Sequence, residues 1–121
     1  MPFANTWNAL QTHLAPGTAI PNWRASRGLL GDSFVVSSVG ANYVAVDTPG
    51  AQNRQRIPVA DFQKVYAIWK GYCEGQTARA TVRDATRFSK YIISVLHWLE
   101  QRVGAQLPSS GRTAGEVSGQ P

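Results

Sequence analysis

Four cations in the C-terminal half of the chain recur at helical spacing. Arg79, Arg83, Arg87 and Lys90 follow one another at intervals of four, four and three. On one continuous helix, residues three and four apart are surface neighbours, so all four would share a flank. Ser94, His97 and Gln101 extend the same line at intervals of four, three and four. Guanidinium forks match phosphate oxygens bidentately and stack on planar rings. The chemistry such a flank could perform is capture of a polyanion. Arg54 and Arg56 add two cations beside an expected β-hairpin. The candidate nucleic-acid-binding residues are therefore Arg54, Arg56, Arg79, Arg83, Arg87, Ser89, Lys90, Ser94 and His97. A solvated face that only aids solubility would use the same residues, since like charges four apart cost only about 0.2–0.5 kcal/mol per pair.

The net charge is concentrated where these residues lie. The 121 residues carry 12 Lys+Arg and 7 Asp+Glu, a net of +5. Residues 1–53 set Arg24 and Arg27 against Asp32 and Asp47, and residues 105–121 set Arg112 against Glu116, so both stretches are neutral. Residues 54–104 hold nine cations against Asp61, Glu74, Asp84 and Glu100, which places the whole +5 there. Nucleic acid, DNA in the first instance, is the expected partner. The alternative is a protein-interaction module or homodimer, with room for a small-ligand pocket lined by tryptophan, and an acidic protein partner is a further reading. Charged residues make up 16%, below the roughly 25% of an average soluble protein, which excludes a disordered polyelectrolyte and a charged coiled coil.

Residue patterns that would carry catalysis are missing. A phosphate-binding loop needs a glycine-rich turn leading into Lys-Ser/Thr, and none occurs. Gly28-Leu29-Leu30-Gly31 is too sparse for a dinucleotide fingerprint. His13 and His97, the two histidines, fall on separate expected helices, and His97 of His97-x-x-Glu100 reads better as a surface histidine in a helix than as part of a metal or acid–base pair. Asp32, Asp47 and Asp61 are dispersed, where a metal-dependent nuclease clusters its carboxylates. Cys73 stands alone, so no internal disulfide can form, and its place on an apolar helix face suggests a small buried hydrophobe. A non-enzymatic protein without cofactor or metal is expected. The first basic residue is Arg24, so no positively charged leader is visible, and the apolar run Tyr91–Leu99 is interrupted and too short for a bilayer. A cytoplasmic protein without membrane contact is expected.

The elements that must position these residues follow from periodicity. Phe3, Trp7, Leu10 and Leu14 mark a helix over 3–14, ended by Pro16-Gly17. Residues 15–32 read as irregular, with Trp23 anchoring them and Arg24 and Arg27 exposed. Ser33–Val39 and Asn42–Asp47 form a hairpin, Pro49-Gly50 a turn, and Arg54–Pro58 a third strand. Phe62, Val65, Tyr66, Trp69, Tyr72 and Cys73 predict a helix over 59–73. Residues 77–85 predict a short helix, with a break near Asp84–Thr86. Phe88, Tyr91, Ile92, Val95, Leu96, Leu99 and Val103 then predict a helix over 87–103, with Thr86 as its cap and Gly104 as its stop. The class is α+β, in one domain over 1–104: an N-terminal helix, a three-stranded antiparallel sheet and two or three C-terminal helices packed on it. Residues 105–121, rich in Gly, Ser and Pro, read as a flexible tail. The two C-terminal helices suggest a helix-turn-helix, with 87–102 as the recognition helix, Arg79 and Arg83 on phosphates, and the hairpin as a wing.

Several stretches together carry a resemblance. They are Asn22-Trp23, Phe34-Val35-Val36 with Tyr43-Val44-Ala45-Val46, the run Ile57–Phe62, Trp69-x-x-Tyr72-x-x-Gly75-x-x-x-Arg79, and Ser89-x-Tyr91-Ile92-Ile93. Over about two thirds of its length the chain resembles small bacterial proteins of mobile gene cassettes and accessory segments beside restriction-type nucleases. The resemblance implies a compact bacterial module engaged with DNA, and carries no active residue across.

Overall fold

The computed structural model describes residues 2–48 and 54–104. Helix α1 (Phe3–His13) leads into β1 (Ala19–Arg24), β2 (Gly28–Val39), β3 (Tyr43–Asp47) and β4 (Gln55–Pro58). Helices α2 (Val59–Tyr66), α3 (Trp69–Cys73), α4 (Arg79–Ala85) and α5 (Ser89–Val103) follow. The α+β class is as expected, but the sheet has four strands, not three. They run in the order β1-β2-β3-β4, each antiparallel to the next. The additional strand, β1, falls in the stretch expected to be irregular. Pro21 is accommodated because β1 is an edge strand, where a missing N–H interrupts no ladder on the outer side. The Pro49-Gly50 turn and the Gly/Ser/Pro-rich tail lie outside the described residues.

The core forms where the helices meet the sheet. Ile20, Phe34, Val36, Val44, Val46 and Ile57 present buried side chains from all four strands. Leu10 from α1, Phe62 and Val65 from α2, Trp69 from α3 and Val82 from α4 close on them. Each such side chain contributes on the order of 1.5–3 kcal/mol by leaving water. Helix α5 packs along β1 and buries Ile92, Ile93, Val95, Leu96 and Leu99. Gly104 ends it in the left-handed region at φ 72°, returning its N–H to the Glu100 carbonyl.

Two helix boundaries differ from the periodicity. The helix expected over 59–73 is interrupted at Ala67–Ile68, without glycine or proline, and resumes as α3. After the interruption Trp69 and Tyr72 pack with Trp23 of β1, their rings 6.0 and 6.3 Å from the Trp23 indole. The break before α5 falls at residues 86–88, so that helix begins at Ser89 and not Arg87. Thr86 is extended there (φ −161°, ψ 145°), and its hydroxyl accepts the Phe88 N–H at 3.1 Å. A threonine hydroxyl that bonds locally competes with the helical ladder. The turn lets Val82 and Phe88 both face the core.

Candidate functional site

Helix α5 does not offer a recognition face. Residues 92–96 are buried in succession, and Tyr91, His97, Trp98 and Glu100 are partly covered. A helix apolar on nearly all sides is a core element. The helix-turn-helix reading needed the opposite arrangement, with the second helix free to enter a groove. The helix interruption at 86–88 also removes the single line that joined Arg79 to His97.

The expected site residues divide into three locations. Arg54 and Arg56 lie at β4, three strand spacings from β1, or roughly 14 Å across the sheet. Arg54 pairs with Asp47 at 3.1 Å, and the Arg56 guanidinium lies 4.0 Å from the Tyr43 ring centroid. Hydrogen bonds from Arg56 and Ser38, with the Arg56 charge, hold the Tyr43 phenol below its ordinary pKa. Arg87 occupies the turn before α5, its guanidinium 4.7 Å from the Phe88 ring. Arg79, Arg83, Ser89, Lys90, Ser94 and His97 fall on or behind a third region, beside β1.

There, a cleft of about 90 Å³ opens between the β1–β2 hairpin and the α4–α5 pair. Arg24 and Asn22 reach it from β1, Asp32 from β2, Arg79 from α4, and Lys90 and Ser94 from α5. The hairpin is irregular at this point. Pro21 pairs with Ser33 and Trp23 with Leu29, which leaves Leu30, Gly31 and Asp32 opposite Asn22 alone. Gly31 makes the excursion possible at φ 96°, a value that a side chain would resist. Bulges of this kind re-aim side chains. Here Asn22 Nδ2 donates to Asp32 Oδ1 at 3.0 Å.

Arg79 is the central group. Its Nη1 donates to Ser89 Oγ at 3.2 Å, and its Nε is buried without a hydrogen-bond partner. Burial, opposed by Tyr72 and reinforced by the charges of Arg24 and Arg83, holds Arg79 below the ordinary arginine pKa. Among the described residues, Arg24, Arg79 and Lys90 form no ion pair with a carboxylate. Arg83 lies 4.0 Å from Asp84, with both side chains mostly exposed, a pair of little strength.

Ser94 and His97 support the cleft from behind. The Ser94 hydroxyl is buried, accepts the Trp23 N–H at 3.0 Å and donates to the Lys90 carbonyl at 3.2 Å. This clasps β1 to α5. The His97 ring stacks on Trp23 at 4.1 Å with planes 4° apart, and burial lowers its pKa. Tyr72 Oη accepts the Ala25 N–H at 3.1 Å, fixing the turn that follows Arg24. Asn22, Arg24 and Asp32 were not among the expected site residues. The signal that could have found them is the alternation of Ile20 and Asn22 along β1, which Pro21 obscures.

No group of three or more His, Cys, Asp or Glu among the described residues could hold a metal ion. No helix of the described residues is long and apolar enough to cross a membrane. Cys73 is half-buried, and burial, with the charges of Glu100 and Glu74, pushes its thiol up to about 12, so it is no nucleophile at neutral pH. Comparison with protein-family models, with curated proteins and with solved structures found no match to the chain.

Proposed function

We propose that the protein binds nucleic acid without catalysis, through phosphate contacts made by Arg24, Arg79, Arg83 and Lys90. The observation that carries the reading is the convergence of Arg24, Arg79 and Lys90 on one cleft, without a carboxylate partner among the described residues. Unpaired guanidinium groups held close to one another favour a ligand that brings its own negative charge. With α5 buried, base edges are not read by a helix in a groove, so affinity here is largely independent of sequence.

The test is titration of short duplex and single-stranded oligonucleotides at two salt concentrations. Four phosphate contacts give a logarithmic slope near −3.6, which is roughly a hundredfold loss of affinity between about 50 and 200 mM salt. Arg83→Ala and Arg24→Ala should each reduce that slope by about 1. Arg54→Ala, on the far side of the sheet, should leave it unchanged. Absence of binding to either oligonucleotide at about 50 mM salt would overturn the reading.

A further inference from the structure

We infer that the cleft between the β1–β2 hairpin and helices α4 and α5 is a receptor for a phosphate monoester, the chemical group found at a phosphorylated nucleic-acid end. The inference rests on the nucleic-acid reading for the source of the group, but not for the cleft itself. Three properties of the cleft select this ligand.

The first is size. A volume of about 90 Å³ is several times what one water requires and well under the roughly 300 Å³ of pockets that enclose whole small molecules. The volume matches one tetrahedral oxyanion and is too small to enclose a nucleoside. An internal phosphodiester carries a sugar on each side and presents two free oxygens to the lining donors. A terminal phosphate presents three.

Charge is the second. Arg24, Arg79 and Lys90 line the cleft against Asp32, a net of +2. A phosphate monoester carries about −1.5 to −2 at pH 7, and a diester only −1. Asp32 is not an obstacle to this match. Its Oδ1 is engaged by Asn22 Nδ2, and the net of +2 already counts its charge.

The third is a guanidinium held in place. Arg79 Nε is buried without an acceptor, while Nη1 is held by Ser89. The guanidinium is therefore fixed in orientation on one side and unsatisfied on the other. A phosphate in the cleft would meet the guanidinium as a positioned positive charge, with Nε shielded behind it.

The experiment uses the whole chain. Inorganic phosphate is titrated in a thermal-unfolding assay against chloride at matched ionic strength. In parallel, fluorescence anisotropy measures one labelled single strand bearing a 5′-phosphate, a 3′-phosphate or hydroxyl ends. Saturable stabilisation by phosphate alone, with about tenfold tighter binding of one phosphorylated strand than of the hydroxyl-ended strand, is the expected result. Arg79→Met and, as a second exposed-residue variant, Arg24→Gln should each remove that preference, while Arg54→Ala keeps it. Equal affinity for phosphorylated and hydroxyl-ended strands, with no stabilisation by phosphate, would overturn the receptor and leave the nucleic-acid reading standing. Saturable stabilisation by phosphate with no strand bound would overturn the nucleic-acid source, and the reading under which it was proposed, while retaining a site for free phosphate.

Discussion

Replacing Arg79 by methionine should stabilise the free protein. Methionine keeps the length of the stem and removes the guanidinium. A buried donor left without a partner costs about 1–3 kcal/mol, and Nε–H is such a donor. Repulsion from Arg24 and Arg83, which act on Arg79 in the folded state, adds a few tenths of a kcal/mol at roughly the scale of like-charge helix pairs. Against this stands the Nη1–Ser89 hydrogen bond, long at 3.2 Å, which contributes about 0.5–1.5 kcal/mol. Arginine remains charged at neutral pH, so the cost is carried by the folded state and is not relieved by deprotonation. The balance is a gain of about 0–3 kcal/mol for Arg79→Met, read as a higher urea midpoint at unchanged denaturant slope. Arg79→Lys, which retains the charge and loses the fork, should show no gain. Phosphate should shift the difference toward the native chain. At ten times its dissociation constant a ligand of the native state adds about 1.4 kcal/mol, which the native chain receives and Arg79→Met does not. A loss of more than about 1 kcal/mol for Arg79→Met in phosphate-free buffer, at unchanged slope, would show that Arg79 is a strut of the fold and refute the reasoning.

Three further outcomes follow from the same region. Ser94→Ala leaves the Trp23 N–H without its acceptor, and should cost about 1–3 kcal/mol by urea unfolding; an effect below about 0.5 kcal/mol would mean that β1 is not held by this clasp. His97, whose pKa is lowered by burial against Trp23, is neutral in the fold and protonates more readily when unfolded. Its contribution is fully present above the ordinary histidine value near 6.5 and is lost as pH falls from there toward the lower folded value, at no more than about 1.4 kcal/mol per pH unit. His97→Gln should flatten the stability profile below about pH 6.5, and an unchanged profile would assign the slope elsewhere. Cys73, with its thiol near 12, is thiolate in roughly one molecule in ten thousand at pH 8. Native protein should therefore react with Ellman's reagent far more slowly than urea-unfolded protein, and equal rates for the two would contradict the raised thiol pKa.

Local signals located much of the architecture. The Phe3–Leu14 spacing and Pro16-Gly17 placed α1 to within a residue at its end, and the apolar stripe from Phe88 to Val103 with Gly104 placed α5. The β2–β3 hairpin was legible because valine, phenylalanine and tyrosine are concentrated on either side of the Gly40-Ala41 turn. What was not legible is β1. Pro21 argues against a strand, and only its edge position removes the objection. The interruption at Ala67–Ile68 carries no breaker residue.

The cleft was hidden for a related reason. Helical spacing compares residues a few positions apart, and it joined Arg79 to Arg83, Arg87, Ser94 and His97 on the assumption of one unbroken helix. Thr86 breaks that helix, and the groups that Arg79 meets are instead Arg24, fifty-five positions away, and Ser89. Charge counting had the same blind spot. It placed the whole excess in residues 54–104 because Arg24 and Arg27 were cancelled by Asp32 and Asp47 in the first half. In space, Asp47 is engaged by Arg54 at the other side of the sheet, while Asp32 is drawn to Asn22 by an excursion that only Gly31 permits. Arg24 is thereby left uncancelled beside Arg79. Net charge by segment describes what a chain carries, and strand pairing decides which of those charges remain available to a ligand.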